Sequence, residues 1–461
     1  MATFHDETGE TMTLDRRQLL ATLATGAASA RLLSFPSPAA AGAPGAAALR
    51  RSDGSVDWRA VRAEFDGLAP DWIHLSGFLF VSHPRPLRAE IERFRTLLDS
   101  DPYWVEEAIY DGMHGQPYEQ SRQAIARYVG GLPEEICFTG NTTTAIAVFY
   151  HGVPIRPDQE ILTTEHDHYV HHVAIDYSCA RSGAKSRRIA LWDRSSNADA
   201  DEIAQRIARA ITPKTRVVGV TWVQSSTGAK LPIERIAEVV ARANRGRAEA
   251  DRCLLMVDGV HGFGNQDVDV AKMGADFFAA GTHKWLFGPR GTGMLWGRKE
   301  LWPAMRPLVP SFDGASVEPY VAWEQGRAAG PTTAADASPG GFVAYEHFFG
   351  LAKAVEFHET IGRAAIAARI AELNHRIREG IARIPGVTLH TPRKPELAAG
   401  INCFEVAGVG TLDVVARLVG KKIRATASPY RVSYPRFSAG IMNEPEEIDR
   451  ALAALRDLAR G

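Results

Sequence analysis

The 461-residue sequence predicts an α/β fold, a large strand-and-helix domain followed by a small α+β domain, on three observations. An apolar run at 253–257 and a second at 275–280, broken only by Asp276, have the length and character of buried strands. Segments with apolar residues at i, i+3 and i+4, such as 119–128, are interspersed with strand-like runs through the first two-thirds of the chain. Beyond residue 342 the pattern changes to long helical periodicity, three short strands and a closing helix. The domain limits predicted on this basis are 1–48 for a tail, 49–330 for an arm and the large domain, and 331–461 for the small domain. In open α/β sheets ligands bind beyond the carboxyl ends of strands, so Asp258 and Lys284, which follow the two apolar runs, are expected to face one crevice.

Composition sets outer limits. Lys plus Arg number 53 and Asp plus Glu 54, a balance that gives no field for nucleic acid or an anionic membrane, so a small-molecule partner is expected. Cys137, Cys179, Cys253 and Cys403 are far apart and match no metal or redox spacing. Residues 1–48 differ from the rest. Arg16-Arg17 precedes a mildly apolar Ala/Leu/Thr run ending in small residues, which resembles a twin-arginine export signal. Export is therefore expected; a disordered Ala/Pro-rich tail on a cytoplasmic protein is the alternative. The mature protein is expected to have no membrane span.

From residue 49 the elements follow in order. Trp58, Phe65, Trp72 and Ile73 are anchors, and 86–98 and 119–128 are helices packed on the large domain. The strand at 135–139 runs into Gly140-Asn141-Thr142-Thr143-Thr144 before the helix at 145–150. Free N–H groups at such a helix start suit a phosphate, held by Thr142 and Thr143, although plain N-capping needs only one of these side chains. A strand at 160–164 leads to His166, His168, His171 and His172. Two of these would share a helical face as metal ligands do, but no acidic or cysteine set accompanies them, and no metal is expected. A further β-branched run at 216–223 ends in Gln224-Ser225-Ser226.

Aspartate plus lysine in one crevice meets a specific chemical need. Pyridoxal phosphate requires an amine for its aldehyde and an acidic partner for its ring nitrogen; an ion pair at the sheet rim would use the same two residues. Asp258-Gly259-Val260-His261, Thr282-His283-Lys284-Trp285 and Gly288-Pro289-Arg290-Gly291-Thr292-Gly293 together resemble the cofactor segment of the class V aminotransferases, most of all isopenicillin N epimerase and its relatives. The resemblance covers about 70–461. It implies fold type I with a mostly parallel seven-stranded sheet, Lys284 holding the aldehyde and moving the Cα proton, and Asp258 at the ring nitrogen. His166 would stack on the ring. Asn141, Thr142, Thr143 and His283 would surround the phosphate, and Ser225 and His261 would lie beside the phenolic oxygen. It also implies a homodimer with shared sites, in which the segment 303–339 reaches the neighbour's phosphate.

In the small domain, periodicity predicts one helical stretch over 342–384, strands at 387–390, 401–406 and 423–426, and a helix at 445–458. Tyr430-Arg431-Val432-Ser433 resembles the family segment whose arginine grips the substrate carboxylate, a task that suits guanidinium's fork of donors. The reaction expected is epimerisation or β-elimination, including C–S cleavage, on an amino acid. Transamination and a catalytically silent amino-acid or cofactor binder are the alternatives.

Overall fold

The apolar runs that read as strands line up in one seven-stranded sheet: β1 (Ile136–Thr139), β2 (Glu160–Thr164), β3 (Lys185–Ile189), β4 (Thr215–Thr221), β5 (Leu254–Asp258), β6 (Phe277–Gly281) and β7 (Gly293–Gly297). The spatial order is β1-β7-β6-β5-β4-β2-β3. Strand β7 is antiparallel to both neighbours, while the pairs from β6 to β3 are parallel. Every residue of β4, β5 and β6 is buried, as expected of parallel strands covered on both faces. This is the predicted α/β fold. The computed structural model describes residues 2–5, 11–14 and 46–460, so Arg16 and Arg17 lie outside the described residues. Residues 1–40 and 41–461 are separate units, and in the first Ala2–His5 pairs antiparallel with Thr11–Leu14.

The long periodicity over 342–384 is two helices rather than one. Tyr345–Ile361 and Arg363–Ala382 are separated by Gly362 at φ 101°, a left-handed conformation that side chains disfavour. The first packs on Pro117–Val129 and Arg85–Ser100, and the second on the closing helix Pro445–Ala459 and strand Val387–Leu389. The chain thus returns to the large domain's helices well past residue 330. The segment before it is firmly tied: Asp313 pairs with buried Arg122, and Ser316 donates to Asp336 at 2.6 Å.

Four antiparallel strands form the small sheet, in the order Val387–Leu389, Asn402–Val406, Pro435–Phe437 and Thr426–Ala427. The run predicted at 423–426 divides, because Ile423–Arg424 turns away to pair in parallel with Ile73–His74 of the N-terminal arm. Ile73, Leu75, Ile377, Phe404, Leu418 and Leu455 share one apolar cluster there. The turn after β4 docks the small domain on the large one. Ala229 bridges Ala398, Lys230 N–H donates to Leu397 at 2.9 Å, and the Thr391 hydroxyl donates to the Thr227 carbonyl at 2.6 Å. Gly228, at φ 76°, lies so close that a Cβ would stand 2.2 Å from the Ile401 carbonyl oxygen.

Candidate active site

Strand β6 ends at Gly281, and a tight turn then presents Lys284. Gly288 N–H donates to Thr282 at 2.9 Å, Phe287 N–H donates to Lys284 at 3.0 Å, and the Thr282 and Thr292 hydroxyls bond each other. Phe287 takes φ 57°, a costly backbone conformation retained here with its ring buried 5.1 Å from that of Phe65. The Lys284 amine stands 3.3 Å from His261 Nε2. Although the side chain keeps some exposure, its amine is deep enough that burial lowers its pKa to about 8, with Asp258 opposing and Arg436 reinforcing the shift. Asp258 ends β5 in register with Thr221 and Ala279 and is 4% exposed. Burial pushes its carboxyl up to about 6, against the Val260 N–H at 3.2 Å and the Lys284 charge. A buried carboxylate poor in partners suits a cationic ring nitrogen. His261 is driven well below its usual pKa, chiefly by burial, and its Nδ1 has no partner.

The turn after β1 faces the same end. Asn141 caps helix Thr142–Gly152, its side-chain oxygen accepting from the Thr144 N–H at 2.9 Å and hydroxyl at 3.2 Å. Its side-chain oxygen is thereby occupied with the third N–H of the helix, leaving the first two N–H groups for an anion. Thr142 Oγ1 accepts from Gly281 N–H at 2.7 Å, joining the turn to the end of β6, and Thr143 is exposed. A Cβ on Gly281 would fall 2.8 Å from His283 Cε1 and 3.0 Å from Thr142 Oγ1, so glycine keeps this cradle open. His283 Nδ1 is buried without a partner. These features fit a phosphate.

After β2, Asp167 is an anchor. Its carboxylate accepts from the Thr163 hydroxyl (2.8 Å), the Thr164 N–H (2.9 Å) and the Thr221 N–H (2.8 Å); against burial its pKa is held down first by the neighbouring His171 and then by the bonds from Thr164 and Thr221. His166 and His168, on either side of it, serve different surroundings. His166 stacks on Trp192 with ring centres 4.2 Å apart, and its Nε2 accepts from Leu191 N–H at 3.1 Å. His166, expected to stack on the cofactor, thus has one ring face on Trp192 and one ring nitrogen on the backbone. His168 instead shares the cleft: burial, then the charges of Lys284 and Arg436, push it down to about 4. His171 bonds the Tyr150 hydroxyl at 2.6 Å and His172 the Thr164 carbonyl at 2.7 Å, so the histidine run disperses. Among the described residues no three His, Cys, Asp or Glu side chains converge as a metal group would require.

The small domain supplies the remaining wall. Arg431 is exposed on the outside of its turn, which corrects its assignment to the substrate carboxylate. Arg436 is the buried arginine, 3% exposed, with its guanidinium 4.6 Å from the Phe78 ring centre. It donates from Nε to Thr426 Oγ1 (3.1 Å) and from its terminal nitrogens to the carbonyls of Ser225 (3.0 Å) and Ala427 (2.9 Å). Arg424, another arginine of this segment, lies 4.1 Å over Trp72. Ser225 bonds the Tyr430 hydroxyl at 2.7 Å, so its side chain meets the small domain. Phe78, from the arm, also meets His261 edge-on at 5.6 Å. Phe78, His168, Tyr430 and Arg436 were missed in the sequence.

The chain matches the family Aminotransferase class-V over residues 110–450. Isopenicillin N epimerase from Streptomyces clavuligerus is 28% identical over 352 residues, 73% of this chain and 83% of that protein. A probable cysteine desulfurase from Chlamydia trachomatis serovar D is 26% identical over 381 residues, 77% of this chain and 87% of that protein. Among solved structures, a C-DES variant with glycine covalently linked to its pyridoxal phosphate superposes with a TM-score of 0.75 at 23% identity, covering 86% of this chain and 99% of that one. With a match over most of its length, and with Asp258 and Lys284 following the adjacent strands β5 and β6, this chain belongs to the class V aminotransferases, pyridoxal-phosphate enzymes of fold type I.

Proposed function

We propose that the chain acts on an amino acid or amino-acid derivative and carries out epimerisation or β-elimination with C–S cleavage. The observation that carries this reading is Arg436, a buried arginine against the Phe78 ring whose charge reaches the Lys284 amine. The cleft thus provides for one substrate carboxylate. Of the five N–H groups of a guanidinium, Arg436 commits three, leaving one on each terminal nitrogen for that carboxylate.

Lys284, partly neutral near pH 8, removes and returns the proton at Cα. Asp258 holds a positive charge at the ring nitrogen, and His168 offers a flat ring from the opposite segment. Pyridoxal phosphate, bound through the Lys284 amine, supplies the electron sink. Its phosphate would lie at Thr142, Thr143 and His283, with His261 beside its phenolic oxygen. Cys137, Cys253 and Cys403 are buried and Cys179 lies on helix Tyr169–Ser182, so none is offered to carry a persulfide in the cleft. A relative named as an epimerase supports the same choice.

The test is incubation of the purified enzyme with a panel of amino acids in deuterated water, following Cα label, configuration, keto acid and released sulfur together. Cα exchange with inversion, or with loss of the β-substituent, is expected. Amino transfer to a keto acid would make it a transaminase; no exchange with any amino acid would leave a silent binder.

The assembly proposed is a homodimer, supported by large apolar side chains left exposed: Phe342 at 79%, Trp323 at 75%, and Phe80 at 67% beside the His283 ring. For residues 1–48 the proposed role is twin-arginine export. No helix of the described residues is long and apolar enough to cross a membrane.

A further inference from the structure

Tyr430 enters the cleft from a turn that is closed on itself. Ser428 N–H donates to the Tyr434 carbonyl (2.9 Å), Tyr434 N–H to the Ser428 hydroxyl (2.9 Å), and the Ser433 hydroxyl to the Ser428 carbonyl (2.7 Å). The Thr411 hydroxyl adds a fourth tie, to the Ser433 carbonyl at 2.7 Å. Pro429, Arg431 and Val432 face solvent from this turn, while Tyr430 turns inward. Its hydroxyl meets Ser225 Oγ at 2.7 Å, and its ring meets His168 edge-on at 5.6 Å. The carbonyl of the same Ser225 accepts from Arg436. The phenol is therefore fixed beside the arginine, by one residue that holds both.

We propose that Tyr430 is a specificity-determining residue, whose hydroxyl bonds the side chain of the amino acid that Arg436 holds by its carboxylate. This rests on the amino-acid reading above. The Tyr430 and Ser225 hydroxyls carry two protons between them; their mutual bond uses one, and the other is free for a ligand. Burial keeps the phenol neutral. With Arg436 engaged by the α-carboxylate, a side-chain carboxylate finds no cation at Tyr430, and a plain alkyl group leaves the O–H unpaired. The side chain that fits is uncharged and carries a hydrogen-bond acceptor bonded to Cβ or one atom beyond: a hydroxyl, thioether or disulfide sulfur.

The test is titration of the purified holoenzyme with serine, S-methylcysteine, alanine, 2-aminobutyrate and aspartate, read from the cofactor's visible absorbance. Serine and S-methylcysteine should bind roughly three- to tenfold more tightly than alanine and 2-aminobutyrate, the worth of one neutral hydrogen bond, with aspartate weakest. Tyr430→Phe should collapse the serine-to-alanine ratio towards one, and Ser225→Ala should reduce it in part, should Tyr430→Phe not fold. Arg436→Lys should instead weaken all five together. A ratio that survives Tyr430→Phe, or a variant that weakens serine and alanine by the same factor, would overturn the assignment. A wild-type holoenzyme whose spectrum answers to no amino acid would overturn the amino-acid reading itself, a result distinct from either.

Discussion

Arg436 and Arg431 sit on the same segment of chain, yet substitution should affect them oppositely. Arg436→Lys loses the two free N–H groups in their planar fork, worth about 1.5–3 kcal/mol for each charged bond, so the half-saturating amino-acid concentration should rise at least tenfold. Arg431→Ala should leave it within about twofold, because that side chain is exposed. Deuterium exchange at Cα against amino-acid concentration measures both, and the reverse pattern would remove Arg436 from the substrate site. Lys284 carries a second expectation. Its amine loses its proton around pH 8 instead of near 10.5, so at pH 7 roughly one amine in ten is already neutral. Capture of pyridoxal phosphate by the apoprotein should therefore accelerate from pH 6 and level off above about 8; a rate still climbing steeply at pH 10 would contradict the buried amine. Lys284, Asp258 and His261 were legible in the sequence because each follows a fully apolar strand closely. His168 and Arg436 were not, because each shares its segment with a like residue, and only the direction of the side chain decides between them. For the histidines, the buried carboxylate of Asp167 fixes that direction.

Glycines separate backbone conformation from space at the level of the elements. Gly362→Ala adds a methyl group to an open site whose nearest neighbour is Arg50 at 3.9 Å, so its cost is that of φ 101° alone, about 1–2 kcal/mol. Gly228→Ala meets φ 76° and the Ile401 carbonyl at 2.2 Å together, so its loss should be clearly larger, more than about 3 kcal/mol. Urea unfolding of the two variants gives the comparison, and equal losses would show that the small domain yields at the Gly228 contact. The same glycines mark what periodicity conveys. The central strands could be placed because parallel strands buried on both faces are apolar throughout. The break at Gly362 could not, since a lone glycine inside a helical pattern is usually tolerated. Nor could the division of 423–427, where one part pairs with the arm and the other with Pro435–Phe437, since pairing partners distant in sequence leave no local signal.

Two expectations concern the whole molecule. Sedimentation should show a dimer at micromolar concentration, and a Trp323→Glu, Phe342→Glu double variant should shift it toward monomer; a wild-type monomer would exclude the shared assembly. Replacing Arg16 and Arg17 with lysine should keep the enzyme inside cells that otherwise export it, and unaltered export would exclude the twin-arginine route. The arm has a consequence of its own. It threads through the small domain by way of Ile73–His74, tied by Asp71 to Lys422, 351 residues later, and it then delivers Phe78 between His261 and Arg436. That pairing must await residues 423 and 424, so a ribosome-bound chain that stops short of them has neither Arg436 nor the strand that seats the arm. Closing so long a loop is entropically costly and slow. The cleft is therefore complete only once residues 423–437 have been made, and chains truncated before residue 436 should accumulate with a large domain and no finished cleft.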